Sequence, residues 1–208
     1  MATTRSASKG NAGPSTAATV YAHAPSAFTL FWLAVSLPLV VWDCGYVLMR
    51  PRTMTGGDLH WPLWAPYALY GEVDYVYGWK AFNANSGFTG AQGFLNVVET
   101  VMYAYYAFVY YQNAVSVGGK KVVVGRQAAI AVLVAFSAAV MTLSKTVLYW
   151  LCEYYSGFDN IGHNSPRDLL FLWIIPNGAW LIAPTFMIYE LGSELVTNLA
   201  AGAGIKRD

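Results

Sequence analysis

Apolar residues in this chain gather into four long runs separated by shorter polar or aromatic stretches. The first is AFTLFWLAVSLPLVVWDCGYVLM, residues 27–49; the others lie near 90–115, 127–152 and 169–189. A helix needs about 20 mostly apolar residues to cross a bilayer. The pattern therefore predicts an all-α, polytopic membrane bundle of about four transmembrane helices. Between the first two runs, DLHWPLWAPYALYGEVDYVYGW (58–79) is dense in Trp, Tyr and Pro. It is too broken to cross, and its composition suits the aromatic belt at a membrane surface. The first twenty residues are rich in Ala, Ser, Thr and Gly and lack the apolar core of a signal peptide. The expected organisation is a disordered tail over 1–25, a transmembrane domain over 26–196 and a C-terminal tail over 197–208.

Composition sharpens this picture. The 208 residues are 56% hydrophobic and 11% charged, with a mean hydropathy of +0.40. Soluble domains carry about 25% charged residues, so lipid is the expected main solvent. A formal net charge of +1 offers no basic surface for nucleic acid. Two cysteines, Cys44 and Cys152, cannot build a disulfide framework, and no Cys/His cluster suggests a metal. No cofactor is expected. The two thiols end spans one and three on the same side and could meet, although free buried thiols are the simpler reading.

Lys and Arg placement orients the bundle. With four spans, Arg5, Lys9, Lys120, Lys121, Arg126, Lys206 and Arg207 share one side, and Arg50, Arg52, Lys80 and Arg167 the other. Both termini are expected in the cytosol.

Charge inside the spans is rare: Asp43 in the first, Glu99 in the second and Lys145 in the third. Each costs about 2.5–3.5 kcal/mol at a helix centre on insertion scales. At 1.5 Å of rise per residue, Asp43 lies roughly 6 Å and Lys145 roughly 9 Å past the centre of its span. Spans one and three run in the same direction, so both displacements point away from the cytosol. Glu99 falls before the middle of the antiparallel second span, on the same side. Asn177 and Trp180 sit in a similar layer of the fourth. The expectation is a shared polar slab in which Glu99 faces Lys145, Asp43 and Asn177. A purely structural Glu99–Lys145 pair that sets helix register is the competing reading. The stripe Tyr103/Tyr106/Tyr110 is read as packing and interface anchoring, and His163 as a loop or interface residue.

Five segments taken in order carry a family resemblance: WDCGYVLMRP (42–51), WAPYALYGEVDYVYG (64–78), GFTGAQGFLNVVETVMYAYY (87–106), TVLYWLCEYYSGF (146–158) and WIIPNGAWLIAPTFMIYE (173–190). Together they resemble the EXPERA-domain superfamily, which includes emopamil-binding protein (the sterol Δ8–Δ7 isomerase) and the sigma-2 receptor. The resemblance covers roughly residues 27–195. It implies a small endoplasmic-reticulum bundle of four or five helices around a lipid-sized cavity.

The same resemblance implies residue roles. Glu99 in VVETV matches the acid of the family's second core helix. Asn177 and Trp180 in NGAW match the isomerase's asparagine and tryptophan, and Asp43 holds the acidic position of the first core helix. Asp74 in GEVDY resembles a sigma-2-branch aspartate. Where the isomerase has a histidine, one turn before its first acid, this chain has Leu39. Lys145 is a further departure. Glu99, Asp43, Asn177 and Trp180 are the expected catalytic set; Asp74, Asn96, Tyr103, Lys145 and Trp173 are the expected substrate-binding set.

Such a pocket suits proton delivery to an alkene. A carboxylic acid kept neutral by burial gives the proton, a second carboxylate takes one elsewhere, and aromatic faces such as Trp180 stabilise the cation. Glu99 and Asp43 are expected to divide these roles, with Asn177 orienting one carboxyl and Lys145 holding one acid ionised. The expected function is an isomerase or terpenoid cyclase for a sterol or other isoprenoid, the lipid bilayer and that apolar molecule being its partners. Some fungal members resembling this family are cyclases in terpenoid biosynthesis. The alternative is a non-catalytic sterol- or amine-binding protein of the sigma-2 type, anchored by Asp43 and Asp74. A homodimer remains an open assembly.

Overall fold

The computed structural model describes residues 20–203. Four long helices dominate: α1 (Ala27–Leu48), α4 (Phe88–Asn113), α5 (Gly125–Tyr155) and α7 (Ile175–Gly202). Short helices α2 (Tyr67–Val73) and α3 (Trp79–Asn83) lie between α1 and α4, and α6 (Pro166–Asp168) precedes α7. Among the described residues, three helices are long and apolar enough to cross a membrane: Ala27–Leu48, Gly125–Tyr155 and the continuous Pro166–Gly202. At 26 residues, α4 matches them in length but includes the polar residues Gln92, Asn96, Glu99 and Thr100.

Local sequence explains the starts and irregularities. Ser26 caps α1, its hydroxyl accepting from the Thr29 amide at 3.1 Å. Leu169–Ile174 forms one wide π-type turn at the entry to α7. Pro176 stands two residues after it and has no N–H to return to the preceding turn. The irregularity falls where Trp173 and Asn177 are aimed inward.

Packing is set by small side chains. Ala128, Ala131, Ala135, Ala138 and Ala139 are fully or almost fully buried along α5. They let α4 and α7 approach closely, as small residues do between membrane helices. Met187 and Leu191 of α7 fill the opposite side of that seam. On α4, Gly93 meets Val47 of α1 so closely that a Cβ there would lie 2.8 Å from Val47 Cγ1.

A small sheet closes one end of the bundle. Strands β2 (Val115–Val117) and β3 (Lys120–Val124) form a hairpin whose two-residue turn, Gly118–Gly119, has positive φ at both positions. β1 (Ala22–His23) pairs antiparallel with β3, giving the order β1-β3-β2. The end of the expected tail is therefore structured: His23 is buried, with Nδ1 2.8 Å from Glu194 Oε2 and Nε2 2.7 Å from the Tyr106 hydroxyl. Tyr21 donates to Glu194, and Ser26 and Thr29 to Glu190, tying this end to α7. Helix α7 continues to Gly202, so residues 197–202 of the expected C-terminal tail are helical. The rest of both expected tails, 1–19 and 204–208, lies outside the described residues.

The aromatic segment caps the other end. Tyr67 stacks on Tyr46 of α1 with ring centroids 3.7 Å apart and planes 7° from parallel. Trp64 donates to the Trp42 carbonyl, and Trp42 to that of Leu63. These contacts fold α2 against α1 and make it a wall of the interior.

Candidate functional site

A cavity of about 500 Å³ lies in the half of the bundle nearest the aromatic cap. From α1 come Leu39, Val40, Trp42 and Asp43; from the capping segment Pro66, Tyr67, Leu69 and Tyr70; from α4 Gln92 and Asn96; from α5 Lys145, Thr146 and Tyr149; and from α7 and its entry Phe171, Pro176, Asn177 and Trp180. Leu39, Leu69 and Phe171 line it and are also 44%, 61% and 58% exposed, so its mouth has an apolar rim.

One wall is a hydrogen-bonded chain. Tyr67 donates to Asp43 Oδ1 at 2.6 Å, and Asn96 Nδ2 to Asp43 Oδ2 at 3.3 Å. The Asn96 carbonyl oxygen accepts from Lys145 Nζ. The same ammonium lies 2.9 Å from Glu99 Oε1 and 3.0 Å from Oε2. Only Oε2 meets it along a well-directed hydrogen bond, and Oε1 is held by charge alone. Thr142 donates to Glu99 Oε2 at 2.8 Å, and Tyr103 lies 3.3 Å from that hydroxyl. Helical spacing builds the chain: Asn96, Glu99 and Tyr103 share one face of α4, and Thr142 and Lys145 one face of α5.

The expected site residues divide accordingly. Asp43, Asn96, Lys145, Asn177 and Trp180 line the cavity. Glu99 lies one residue behind the wall, buried against Lys145 and Thr142. Tyr103 lies deeper still. Asn177 does not orient a carboxyl: its amide donates to the Trp173 carbonyl of its own helix at 2.9 Å.

Asp74 and Trp173 form a separate knot. Asp74 is completely buried and accepts from the Val76 amide at 3.0 Å, Trp173 Nε1 at 2.8 Å and the Tyr149 hydroxyl. Burial raises its pKa from 3.8 to about 6, against the pull of these donors. It holds the capping segment to α5 and α7 and does not face the cavity. Cys44 donates to the Gly93 carbonyl at 3.6 Å, and both cysteines are free thiols. His163 stacks on Tyr75 in the connecting loops.

Sequence reasoning missed Tyr67 and Gln92. Gln92 had a readable signal, since it stands four residues before Asn96 and seven before Glu99 on the same face. Tyr67 had none, because only the folded cap brings it to Asp43.

The arrangement offers one partly buried carboxyl to a mainly aromatic and aliphatic interior, with the Lys145 ammonium and the amides of Asn96 and Asn177 in the same wall. A scan against protein-family models and searches of curated proteins and solved structures returned no match.

Proposed function

We propose that this protein is a membrane-embedded isomerase or cyclase that protonates a double bond, or a similar group, of a sterol or other isoprenoid. The observation that carries the reading is the position of Asp43, the one carboxyl among the described residues on the wall of a mainly apolar cavity. In this reading α4 is a fourth span, the cavity mouth opens to lipid through Leu39, Leu69 and Phe171, the termini are cytosolic and the membrane is that of the endoplasmic reticulum. The resemblance to the EXPERA-domain superfamily supports it.

Protonated Asp43 gives its proton to one alkene carbon, and the π pair becomes the new C–H bond. The resulting carboxylate is met by the Tyr67 hydroxyl and the Asn96 amide, both already in place. Such preorganised donors stabilise charge as it forms. The cation left on the substrate faces Trp42, Tyr149 and Trp180, whose ring faces attract positive charge by about 2 kcal/mol when desolvated. The carboxylate then takes a proton from a neighbouring carbon, forming the shifted double bond and restoring the acid. Water is kept out by the apolar rim, so the cation is not quenched. Glu99 acts one step back: it holds Lys145, which fixes Asn96. In this reading one exchanging acid does both jobs, and Glu99 and Lys145 are a positioning pair.

The test is isotopic. Membranes carrying the protein, from a yeast without its own sterol isomerase, are incubated in D2O with a panel of Δ8-sterols and acyclic isoprenoids. A rearranged product carrying one deuterium, absent with Asp43→Asn, is expected. A rearranged product free of deuterium would rule out an exchangeable acid.

A second reading has its own support. Trp42, Tyr67 and Tyr70 beside Asp43 make a carboxylate-plus-aromatic surround suited to a cationic amine. Asp74 is bonded in its own knot and does not line the cavity, so this reading rests on Asp43. Amine binding unchanged in Asp43→Asn would dispose of it.

A further inference from the structure

Tyr46 lies outside the cavity, 2% exposed on α1, three residues after Asp43 and so on the same helix face. Its ring is the flat partner of Tyr67, with centroids 3.7 Å apart and planes 7° from parallel. Among the described residues, the other rings around Tyr67 meet it differently: Trp42 tilted by 50° at 4.8 Å, Tyr70 edge-on at 6.0 Å, and Tyr77 at 6.0 Å. Two free rings prefer an offset or edge-to-face arrangement, so this nearly face-on stack is held from outside. Tyr46 is tied at both ends. Its hydroxyl donates to the Tyr77 carbonyl at 2.9 Å, and its own carbonyl accepts from the buried Thr53 hydroxyl at 2.6 Å.

We infer that Tyr46 is a positioning residue: its ring is the plate against which Tyr67 is set, and it fixes the Tyr67 hydroxyl on Asp43 without touching the ligand. The inference rests on the reading of Asp43 as the acid. Tyr67 belongs to the capping segment and Asp43 to α1, so their 2.6 Å bond needs the two elements in register. Ring atoms in contact at about 3.5–4.0 Å repel steeply on closer approach. Tyr46 therefore stops the Tyr67 ring from tipping toward α1 and keeps the hydroxyl at its far end within reach of Oδ1. Because Asp43 and Tyr46 share one helix, plate and acid move together, and a shift of the capping segment that opens the stack also withdraws the hydroxyl. A donor already in place stabilises charge as it forms without reorganising. A Tyr67 free to swing loses that advantage.

The experiment uses full-length protein in lipid nanodiscs and reads the C=O stretching band of the Asp43 acid by infrared spectroscopy, the band being the one lost in Asp43→Asn. It needs no ligand, so failure of the deuterium test above would strike the reaction and leave this assignment standing. Tyr67→Phe removes the donor and is expected to move the band to higher wavenumber. Tyr46→Leu and the unbranched Tyr46→Met are each expected to give at least half of that displacement in a protein that still melts cooperatively. Tyr46→Phe keeps the flat ring, drops only the hydroxyl, and is expected to give less than a quarter. Trp173→Phe weakens the Asp74 knot away from the stack; it is expected to lower stability and leave the band in place. A band unmoved in Tyr67→Phe, or in both Tyr46→Leu and Tyr46→Met, overturns the Tyr46 assignment alone. So does an equal displacement in Tyr46→Phe or Trp173→Phe. A wild type with no band that depends on Asp43 overturns the acid reading and this assignment together.

Discussion

Lys145 on α5 and Glu99 on α4 form an ion pair in the interior, with Nζ 2.9 Å and 3.0 Å from the two carboxylate oxygens and the side chains only 9% and 6% exposed. Removing one member leaves the other charged, buried and alone, which costs about 3–5 kcal/mol. Lys145→Met and Glu99→Gln should each lower thermal stability in detergent, with Lys145→Met the more harmful. The double variant Glu99→Gln/Lys145→Met should recover most of the loss, because no unpaired charge remains. A double variant as unstable as the sum of the singles would show that the pair is not coupled.

Activity should separate Asp43 from Glu99. Replacing a group that transfers the proton costs about 10²–10⁴-fold in rate, so Asp43→Asn should abolish measurable turnover without lowering the melting temperature. Tyr67→Phe removes one hydrogen bond to a charged group, worth about 1.5–3 kcal/mol, and should slow turnover tenfold or more. Glu99→Gln should lose activity together with stability. Turnover that survives Asp43→Asn but not Glu99→Gln would reverse the assignment.

Asp74, in the connecting segment outside the long helices, gives a pH dependence. Its folded pKa, raised by burial to about 6, exceeds the ordinary 3.8. The folded state therefore binds the proton more tightly than the unfolded state, and stability falls as the unfolded state releases protons first. The contribution is fully present below about pH 3.8 and lost as pH rises to about 6. Chemical denaturation from pH 4 to 7 should show this decline, and Asp74→Ala should flatten it while lowering stability throughout. A wild-type slope unchanged in Asp74→Ala would assign the dependence elsewhere.

Gly93 tests the α1–α4 contact. A methyl group there overlaps Val47 Cγ1 at 2.8 Å, and overpacking of this kind costs about 1–3 kcal/mol. Gly93→Ala should destabilise by that amount, and Val47→Ala in the same chain should restore much of it. Because Cys44 bonds the Gly93 carbonyl, the single variant should also make the Cys44 thiol more reactive toward maleimide. Full stability in Gly93→Ala would mean that α1 can move aside at no cost.

The long apolar runs determined, by composition and length alone, that the protein is mostly helical and that at least three helices suit a bilayer. Helical rise placed Asp43, Glu99, Lys145 and Asn177 at one depth, because depth depends only on counting residues from a span's centre. Spacing also put Asn96 and Glu99 on one face of α4. Which carboxyl meets the cavity was not a matter of depth. It depends on how far each helix is rotated about its axis, and the close contacts at Gly93 and along the alanines of α5 fix that rotation. Those contacts put Asp43 on the wall and Glu99 behind Lys145. Long-range pairing decided the remainder: β1 finding β3, Tyr67 reaching Asp43 across 24 positions, and Asp74 withdrawn into its knot with Tyr149 and Trp173. Such partners lie far apart in sequence, and only the packed chain brings their atoms within hydrogen-bonding distance.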